Sequence, residues 1–366
     1  MAAGCGGCPA GAAAVDGPGD LGPRPGGHDL SAGGDVMDQV AASARSALRL
    51  HGCHPSASAE LIKVSENATF LVSDPDAEPS VLRVHRLGYH TEREIVSELA
   101  WVDALRAEAG VRTPRVLPAA DGRRVVTVAE AGGPGAAARH CVRFEFLPGT
   151  EPGGPGVEPE GQLTGRHFEE LGEITARMHR HARQWQRPAW FTRFRWDYPA
   201  AFGGQARWGR WQDGIGVGPA ERQVLTRLDD TVRRRLEAFG QGPERYGLVH
   251  ADTRLANLLV YEDQVSVIDF DDSGFSWYLY DLGTTVSFFE HSPEVPGLVA
   301  SWLAGYRKAA ALTAEDEAEI WTFIMFRRLL LVAWIGSHQG VDIAVELGAG
   351  YTQGSCDLAE SYLSTH

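Results

Sequence analysis

Residues 248–272 read LVHADTRLANLLVYEDQVSVIDFDD and place acidic side chains around two short apolar runs. The runs, LLVYE and VSVIDF, are rich in residues that favour β-strands, and turn-forming residues separate them. This pattern predicts a β-hairpin with a tight turn at Asp263-Gln264. The residues that flank the hairpin would then lie side by side.

Closing the hairpin would bring four polar side chains into one small volume. They are Asp252, Asn257, Asp269 and Asp271. Carboxylates held this close repel one another and raise each other's pKa unless a cation lies among them. Turn capping or a solvated loop face would explain one or two of these residues but not the whole set. A hard divalent cation such as Mg²⁺, which takes carboxylates together with substrate phosphates, would resolve the repulsion.

Composition excludes several classes of protein. The 366 residues carry a net charge of -14, so no basic stripe is available to follow a nucleic-acid backbone. Five scattered cysteines are too few for a disulfide framework and fit a reducing cytoplasm. The longest apolar run, at 321–336, has Arg327 and Arg328 at its centre, which favours a buried core helix over a membrane span. We therefore expect a cytoplasmic protein without nucleic-acid or membrane partners, and the oligomeric state stays open.

The chain divides into three parts by composition. Residues 1–36 are rich in Gly, Ala and Pro and are expected to form a disordered tail, because they cannot bury enough apolar area to offset the entropy of ordering. Residues 37–147 contain a first helix from Met37 and then short strand-like runs. Residues 148–366 begin with a Pro/Gly-rich stretch and continue as long amphipathic helices around the hairpin. The order predicts an α+β fold.

One helix interrupts the strand-like runs of the first part. Thr91 and Glu94 form the S/T-x-x-E pattern of a capping box, and Gly110 is expected to end the helix. We therefore predict a small antiparallel sheet with one helix, followed by a larger helical region.

The quoted stretch resembles the catalytic loop and metal-binding motif of the protein-kinase-like fold, in the form used by the aminoglycoside phosphotransferase and choline kinase superfamily. The resemblance covers about residues 55–340. It implies that Asp252 is the catalytic residue and that Asn257 and Asp269 are metal ligands, with Asp271 as a second acidic ligand. It also implies that Asp281, in YLYDLGTT, braces the catalytic loop. The expected fold has two lobes, an N-lobe of residues 37–147 and a C-lobe of residues 148–366.

The resemblance also implies a nucleotide site in the N-lobe. Arg83, in SVLRVHR, would hold the phosphates with Glu98 as its partner, and Val81 on the same strand face would line the adenine slot. The phosphate-covering loop would be IKVSENATFLV, which offers Ser65 and Asn67 in place of glycines. The segment VRFEFLPG resembles the hinge between the two lobes of this fold, where backbone groups near Glu145 and Phe146 would pair with the base. The side chains of this segment do not indicate whether the nucleotide is ATP or GTP.

The acceptor is expected to be a hydroxyl group of a small molecule: an aminoglycoside or other antibiotic, an amino alcohol or a hydroxy amino acid. Candidate acceptor contacts are Asp272, Trp196, Trp277 and Glu290. The aromatic-rich stretch 184–214 could stack on an acceptor, but a loop this long needs a small core of its own, which favours a structural cap.

Two other functions remain. A Ser/Thr protein kinase of the stress-response type is disfavoured, because no long activation segment with an A-P-E motif follows Asp269. A catalytically silent nucleotide-binding module is disfavoured because Asp252, Asn257 and Asp269 are all present.

Overall fold

Six short strands of the N-lobe build one antiparallel sheet. The structure, a computed structural model, describes residues 33–130, 137–152 and 164–365. In spatial order the sheet runs β1–β2–β3–β6–β4, and β5 also pairs with β6. The strands are β1 (Ser58–Val64), β2 (Ala68–Asp74), β3 (Ala77–Val84), β4 (Val116–Leu117), β5 (Val126–Ala129) and β6 (Ala138–Glu145). Strands β1, β2, β3, β5 and β6 coincide with the strand-like runs of the sequence and confirm them, whereas β4 has only two residues and was not predicted.

Two helices cover this sheet. In α1 (Gly33–Leu50), Val40 and Ala44 pack against a core that includes Phe70 and Leu82 of the strands. The predicted tail, residues 1–36, lies outside the described residues except for its last four, which form the first turn of α1.

The second helix, α2 (Glu92–Glu108), begins and ends as the sequence predicts. Thr91 and Glu94 form both hydrogen bonds of a capping box. Gly110 follows with a φ of 60°, the left-handed conformation that favours glycine after a helix. Since α2 packs on both the sheet and the C-lobe core, it joins the two lobes.

The C-lobe consists mainly of helices. They are α3 (Gly165–Gln184), α4 (Tyr198–Phe202), α5 (Pro219–Phe239), α6 (Leu279–Thr285), α7 (Val295–Tyr306), α8 (Ala314–Ala318), α9 (Ile320–Ser337) and α10 (Asp342–Leu363). Helix α10 was not predicted, because its several glycines obscure the helical pattern. The break predicted at residue 148 falls between β6 and α3, and residues 153–163 lie outside the described part.

Helix α9 is the predicted core helix. By length and composition alone it could cross a membrane, but 78% of it is buried inside the protein. Arg327 and Arg328 are each 2% exposed, and both form ion pairs with buried acids. A buried and paired charge is tolerated in a protein core, so α9 has the features of a core helix.

The hairpin lies between the helices, facing the N-lobe sheet. It pairs β8 (Leu258–Tyr261) with β9 (Gln264–Val267) in antiparallel register. Glu262 and Asp263 form the turn, and both have positive φ, as in a type I′ turn. The tight turn therefore lies one residue earlier than predicted. A second antiparallel pair joins β7 (Tyr246–Val249), which leads into the loop at residues 250–257, with β10 (Gly274–Trp277).

Candidate active site

The loop between β7 and β8 is fixed by a buried carboxylate. Asp281 accepts hydrogen bonds from the backbone N–H groups of His250 and Ala251, at 3.1 and 2.6 Å. Nε2 of His179, a buried residue of α3, lies 2.9 Å from Oδ2 of the same carboxylate. Ala251 has a φ of 67°, which a residue with a side chain adopts only at a cost. Asp281 thus stabilises a strained turn and braces the loop, and it lies inside α6 rather than at its N-cap.

Asp252 is surrounded by hydrogen-bond donors. Its Oδ1 accepts from Arg327 at 2.6 Å, and its Oδ2 accepts from Arg254 at 3.0 Å and from Asn257 at 2.6 Å. Burial raises the pKa of Asp252, but the charges of Arg254 and Arg327 outweigh burial and lower it overall. The Asp252 carboxylate is therefore charged and held in one orientation, and it is a weak base.

Asn257 and Asp269 form a donor set that fits a divalent cation. Both N–H bonds of the Asn257 amide point to Asp252, which leaves its carbonyl oxygen for a ligand. Burial and the nearby carboxylates of Asp271 and Asp252 raise the pKa of Asp269 despite the opposing charge of Arg83. A cation would relieve this repulsion. In the described residues no cluster of three or more His, Cys, Asp or Glu side chains could hold a metal. Mg²⁺ commonly combines one or two carboxylates with substrate phosphates, and Asn257 with Asp269 fits a cation bound in that way.

Asp271 has partners in the N-lobe. Its Oδ2 accepts from Asn67 at 2.9 Å and lies 3.2 Å from Nε2 of His90, while His85 lies 3.5 Å from Oδ1. These contacts give Asp271 a role in joining the lobes. Its role as a second metal ligand stays a prediction.

A cleft of about 280 Å³ lies between the hinge and the hairpin. Val81 and Arg83 both line it, as their shared strand face predicts. Nη2 of Arg83 lies 2.7 Å from Oε1 of Glu98, and Nη1 lies 3.2 Å from Oδ1 of Asp269. Glu98 is therefore the partner of Arg83 and Glu94 serves the helix cap, as predicted. Arg83 therefore links the cleft to the carboxylate of Asp269.

The hinge segment also borders this cleft. Glu145 and Phe146 line it, and Phe146 is 45% exposed. The N–H of Glu145 already donates to the carbonyl oxygen of Arg115 at 2.9 Å. A base in the cleft would therefore pair with other backbone groups of this segment.

A second and larger cavity, of about 580 Å³, lies next to this cleft, and Asp269 lines both spaces. Its polar wall includes Asp252, Arg254, Asp272 and Arg327. Its apolar wall is formed by Trp208, Phe288, Leu331, Trp334, Val341 and Ile343. Ser65 and Asn67, predicted to cover the phosphates, line this cavity, and Asn67 is buried on Asp271. We name it the acceptor cavity, because the carboxylate of Asp252 lies in its wall.

Asp272 is a buried acid in the wall of this cavity, with other carboxylates around it. Tyr89 donates to its Oδ1 at 2.8 Å, and no hydrogen bond within the described residues reaches Oδ2. Burial, together with the carboxylates of Asp252, Asp271 and Glu66, raises the pKa of Asp272 well above its usual range. A cationic ligand would offset that repulsion.

The structure corrects three predicted acceptor contacts. Trp196 is fully buried, and its indole N–H donates to the backbone oxygen of Asp272 at 2.8 Å, so it supports the site from behind. Trp277 is 2% exposed in the C-lobe core, where its indole N–H donates to Gly240. Glu290 is 3% exposed and is paired with Arg328. None of the three lines the acceptor cavity, because each is enclosed by core packing.

Most of the aromatic stretch 184–214 forms a cap with its own core, as expected. Trp196, Trp208 and Trp211 are buried together in the C-lobe core, and Trp208 also reaches the acceptor cavity.

Three residues of the site were not identified from the sequence: Lys63, Arg254 and Arg327. Only Arg327 left a signal, since a charge in the middle of an apolar helix requires a buried partner.

Comparison with known proteins agrees with this geometry. The family model described as "Phosphotransferase enzyme family" matches residues 59–319, which is more than half of the chain. A solved structure of a microcompartment-associated aminopropanol kinase is 49% identical, with 88% of this chain and 97% of that chain covered and a TM-score of 0.78.

Two further proteins are more distant. Amicoumacin kinase of Bacillus subtilis (strain 168) is 24% identical over 242 residues, which cover 66% of this chain and 63% of that protein. The amicoumacin kinase hAmiN, solved in complex with AMP-PNP, Ca²⁺ and Ami, shares the fold with 21% identity and a TM-score of 0.69, over 89% of this chain and 94% of that chain. The similar proteins are thus kinases of small molecules, and this chain belongs to the phosphotransferase enzyme family.

Proposed function

We propose that the protein transfers the γ-phosphoryl group of ATP, with Mg²⁺, to the hydroxyl group of a small amino alcohol of the aminopropanol type. One observation carries the proposal. Oδ2 of Asp272 accepts no hydrogen bond from the described residues, and Asp272 lines the same cavity as Asp252. The 49% identity to an aminopropanol kinase, over nearly the whole of that chain, supports the same acceptor class.

The two ends of the acceptor cavity suit the two ends of an amino alcohol. The ammonium group would lie near Asp272, where a positive charge offsets the repulsion among carboxylates. The aromatic rings of Trp208 and Trp334 border the same cavity and favour a cation. The hydroxyl group would then point to Asp252. The rest of the cavity, next to Asp269, leaves space for the phosphates.

In this arrangement Asp252 aims the hydroxyl oxygen at the γ-phosphorus. A bond forms between that oxygen and phosphorus, the bond from phosphorus to the bridging oxygen of ADP breaks, and the hydroxyl proton passes to Asp252. Because Arg254 and Arg327 lower the pKa of Asp252, its main contribution is orientation, with the proton moving late. The metal, held by Asn257 and Asp269, would neutralise charge on the phosphates. Arg83 would hold the remaining phosphates from the N-lobe side.

The decisive experiment is an acceptor panel with Mg-ATP, read as ADP release. The panel contains 1-amino-2-propanol, ethanolamine, choline, homoserine and one aminoglycoside. Propane-1,2-diol is the matched control, since it keeps the hydroxyl group and lacks the ammonium. We expect aminopropanol to give the highest kcat/KM and the diol to give almost none.

Asp252→Asn serves as the catalytic control. It should bind ATP normally while kcat falls by about 10²- to 10⁴-fold. Equal rates with the diol and the amino alcohol would contradict the amino-alcohol assignment. A preference for the aminoglycoside would move the acceptor to the antibiotic class.

A further inference from the structure

The cleft of about 280 Å³ between the hinge and the hairpin, which we call the nucleotide cleft, meets the acceptor cavity at two side chains. Among the described residues, only Lys63 and Asp269 line both spaces. A phosphoryl group that passes from nucleotide to acceptor must cross this junction. Asp269 would contribute there through the metal, so Lys63 is the side chain at the junction that can meet the phosphoryl group directly.

Strand β1 directs Lys63 to this place through an irregularity. The pairing of β1 with β2 shifts between Leu61 and Lys63, so that Ile62 has no partner. A bulge of this kind re-aims the side chains that follow it. Leu61 borders the acceptor cavity, Ile62 borders the nucleotide cleft, and Lys63 reaches both.

The ammonium group of Lys63 has little internal compensation. Within the described residues its ion pair is with Glu151 at 3.7 Å, and the side chain is 34% exposed. The neighbouring cations are used more fully. Arg83 pairs with Glu98 and Asp269, and Arg327 pairs with Asp252. Arg254 also pairs with Asp252, at 3.0 Å. Of these four cations Lys63 lies farthest from its nearest ion-pair partner and has the most exposed side chain, so it is the one most available to an anionic ligand.

The choice of residue is informative too. The chain contains 34 Lys and Arg residues, of which only Lys63 and Lys308 are lysines. Arginine presents a planar fork that suits fixed carboxylates, whereas lysine is a compact charge on a flexible stem. A flexible point charge can follow a phosphoryl group as it moves.

We propose that Lys63 contacts the γ-phosphoryl group and stabilises its charge during transfer. This inference rests on the proposed phosphotransfer from ATP, but it does not depend on which acceptor is used. It assigns β1, rather than the glycine-poor loop after it, the task of neutralising the transferred group.

The first test is kinetic. Lys63→Met should lower kcat by about 100-fold, with a smaller change in the KM for ATP, because the charge acts mainly on the transition state. Lys63→Arg should recover part of that loss. Lys308→Met is the matched control, since it removes the other lysine at an exposed pair with Glu169 and should leave kcat unchanged. Thermal unfolding should be the same for all variants. A kcat for Lys63→Met within about threefold of wild type would overturn the proposal.

The second test needs no acceptor. An acyl phosphate of ATP carries its reactive carbonyl on the terminal phosphate, and a nearby lysine amine takes the acyl group as an amide while ATP leaves. Mass spectrometry should find the label on Lys63 and not on Lys308, and excess ATP should protect Lys63 better than ADP does. Equal labelling of both lysines, or equal protection by ATP and ADP, would contradict a contact with the γ-phosphate.

The two proposals fail in different ways. If Lys63 is labelled and protected by ATP but aminopropanol is not phosphorylated, the acceptor is wrong and the lysine assignment stands. If aminopropanol is phosphorylated and Lys63→Met is fully active, the lysine assignment is wrong and the acceptor stands.

Discussion

Nη2 of Arg327 lies 2.6 Å from Oδ1 of Asp252, although the two residues are 75 positions apart in sequence. The guanidinium is also fixed by the hydroxyl groups of Tyr280, at 3.0 Å, and Ser287, at 3.1 Å. Both Arg327 and Asp252 are buried. The carboxylate that we propose as catalytic is therefore oriented by a core helix as well as by its own loop.

Removing this arginine should damage catalysis and stability together. We expect Arg327→Met to lower kcat by about 10²-fold, because Asp252 loses its orientation. It should also destabilise the fold by about 3 kcal/mol, because it leaves a buried carboxylate short of a partner. Steady-state kinetics and urea unfolding would measure the two effects.

Arg328→Met is the matched control for this variant. Arg328 is equally buried on the same helix and pairs with Glu290, which does not line the acceptor cavity. It should lose similar stability and keep kcat. Equal losses of kcat in both variants would show that the Arg327 effect comes from folding.

The ion pair between Arg83 and Glu98 should be strongly coupled. Both side chains are buried, with Nη2 and Oε1 2.7 Å apart. We expect Arg83→Met to raise the KM for ATP at least tenfold and to cost about 3 kcal/mol of unfolding free energy. The double variant Arg83→Met, Glu98→Gln should recover part of that stability, since no charge is left alone. Strictly additive losses would argue against a direct pair.

Asp272 should govern the acceptor and not the nucleotide. Asp272→Asn keeps the shape of the side chain and removes its charge, so we expect the KM for aminopropanol to rise by about 10- to 100-fold, as for a lost charged hydrogen bond. The KM for ATP should change little. Glu290→Gln is the control, a buried acid that does not line the acceptor cavity. An equal effect of both variants would remove Asp272 from the acceptor site.

Glu66 should make the fold sensitive to acid. Burial alone would raise the pKa of Glu66, but a hydrogen bond and charge from His338, with Arg86 and Trp334, lower it from its ordinary value of 4.5 to about 2. A carboxylate with a depressed folded-state pKa adds stability above the unfolded-state pKa, and this stability is lost as pH falls from 4.5 to 2. The contribution is about 3 kcal/mol.

Unfolding measured between pH 2 and 7 would test the Glu66 prediction. The difference between wild type and Glu66→Gln should shrink over that acid range. A pH-independent difference would show that the charge of Glu66 has no part in it.

Helices α3 and α7 cross at two glycines. A Cβ atom on Gly305 would lie 1.7 Å from the backbone oxygen of Glu169, and one on Gly172 would lie 1.9 Å from that of Trp302. Gly305→Ala must push the helices apart and should cost about 1–3 kcal/mol or more. Gly297→Ala, in the same helix with open space around it, should be neutral or stabilising. Thermal unfolding of the pair would decide, and equal melting temperatures would contradict the close crossing.

The sequence predicted those parts of the site whose spacing is local. Asp252, Asn257 and Asp269 could be grouped because one hairpin joins them, whereas Arg83 and Glu98 were paired from the resemblance to the kinase-like fold. The position of Lys63 depends on how distant elements pack, so no short pattern revealed it. Trp277 and Glu290 were misassigned for the same reason, because an aromatic or acidic residue close to the motif in sequence can still face the core. The cytoplasmic location and the absence of nucleic-acid partners stay predictions.

The strained turn at Ala251 has a consequence for the timing of assembly. Its left-handed backbone is held by Asp281, which is itself fixed by His179 in the centre of the C-lobe. The geometry of the loop at residues 250–257 is therefore set as the C-lobe core forms, because the hydrogen-bond partners of its turn belong to that core. The position of the Asp252 carboxylate thus depends on the folding of the C-lobe.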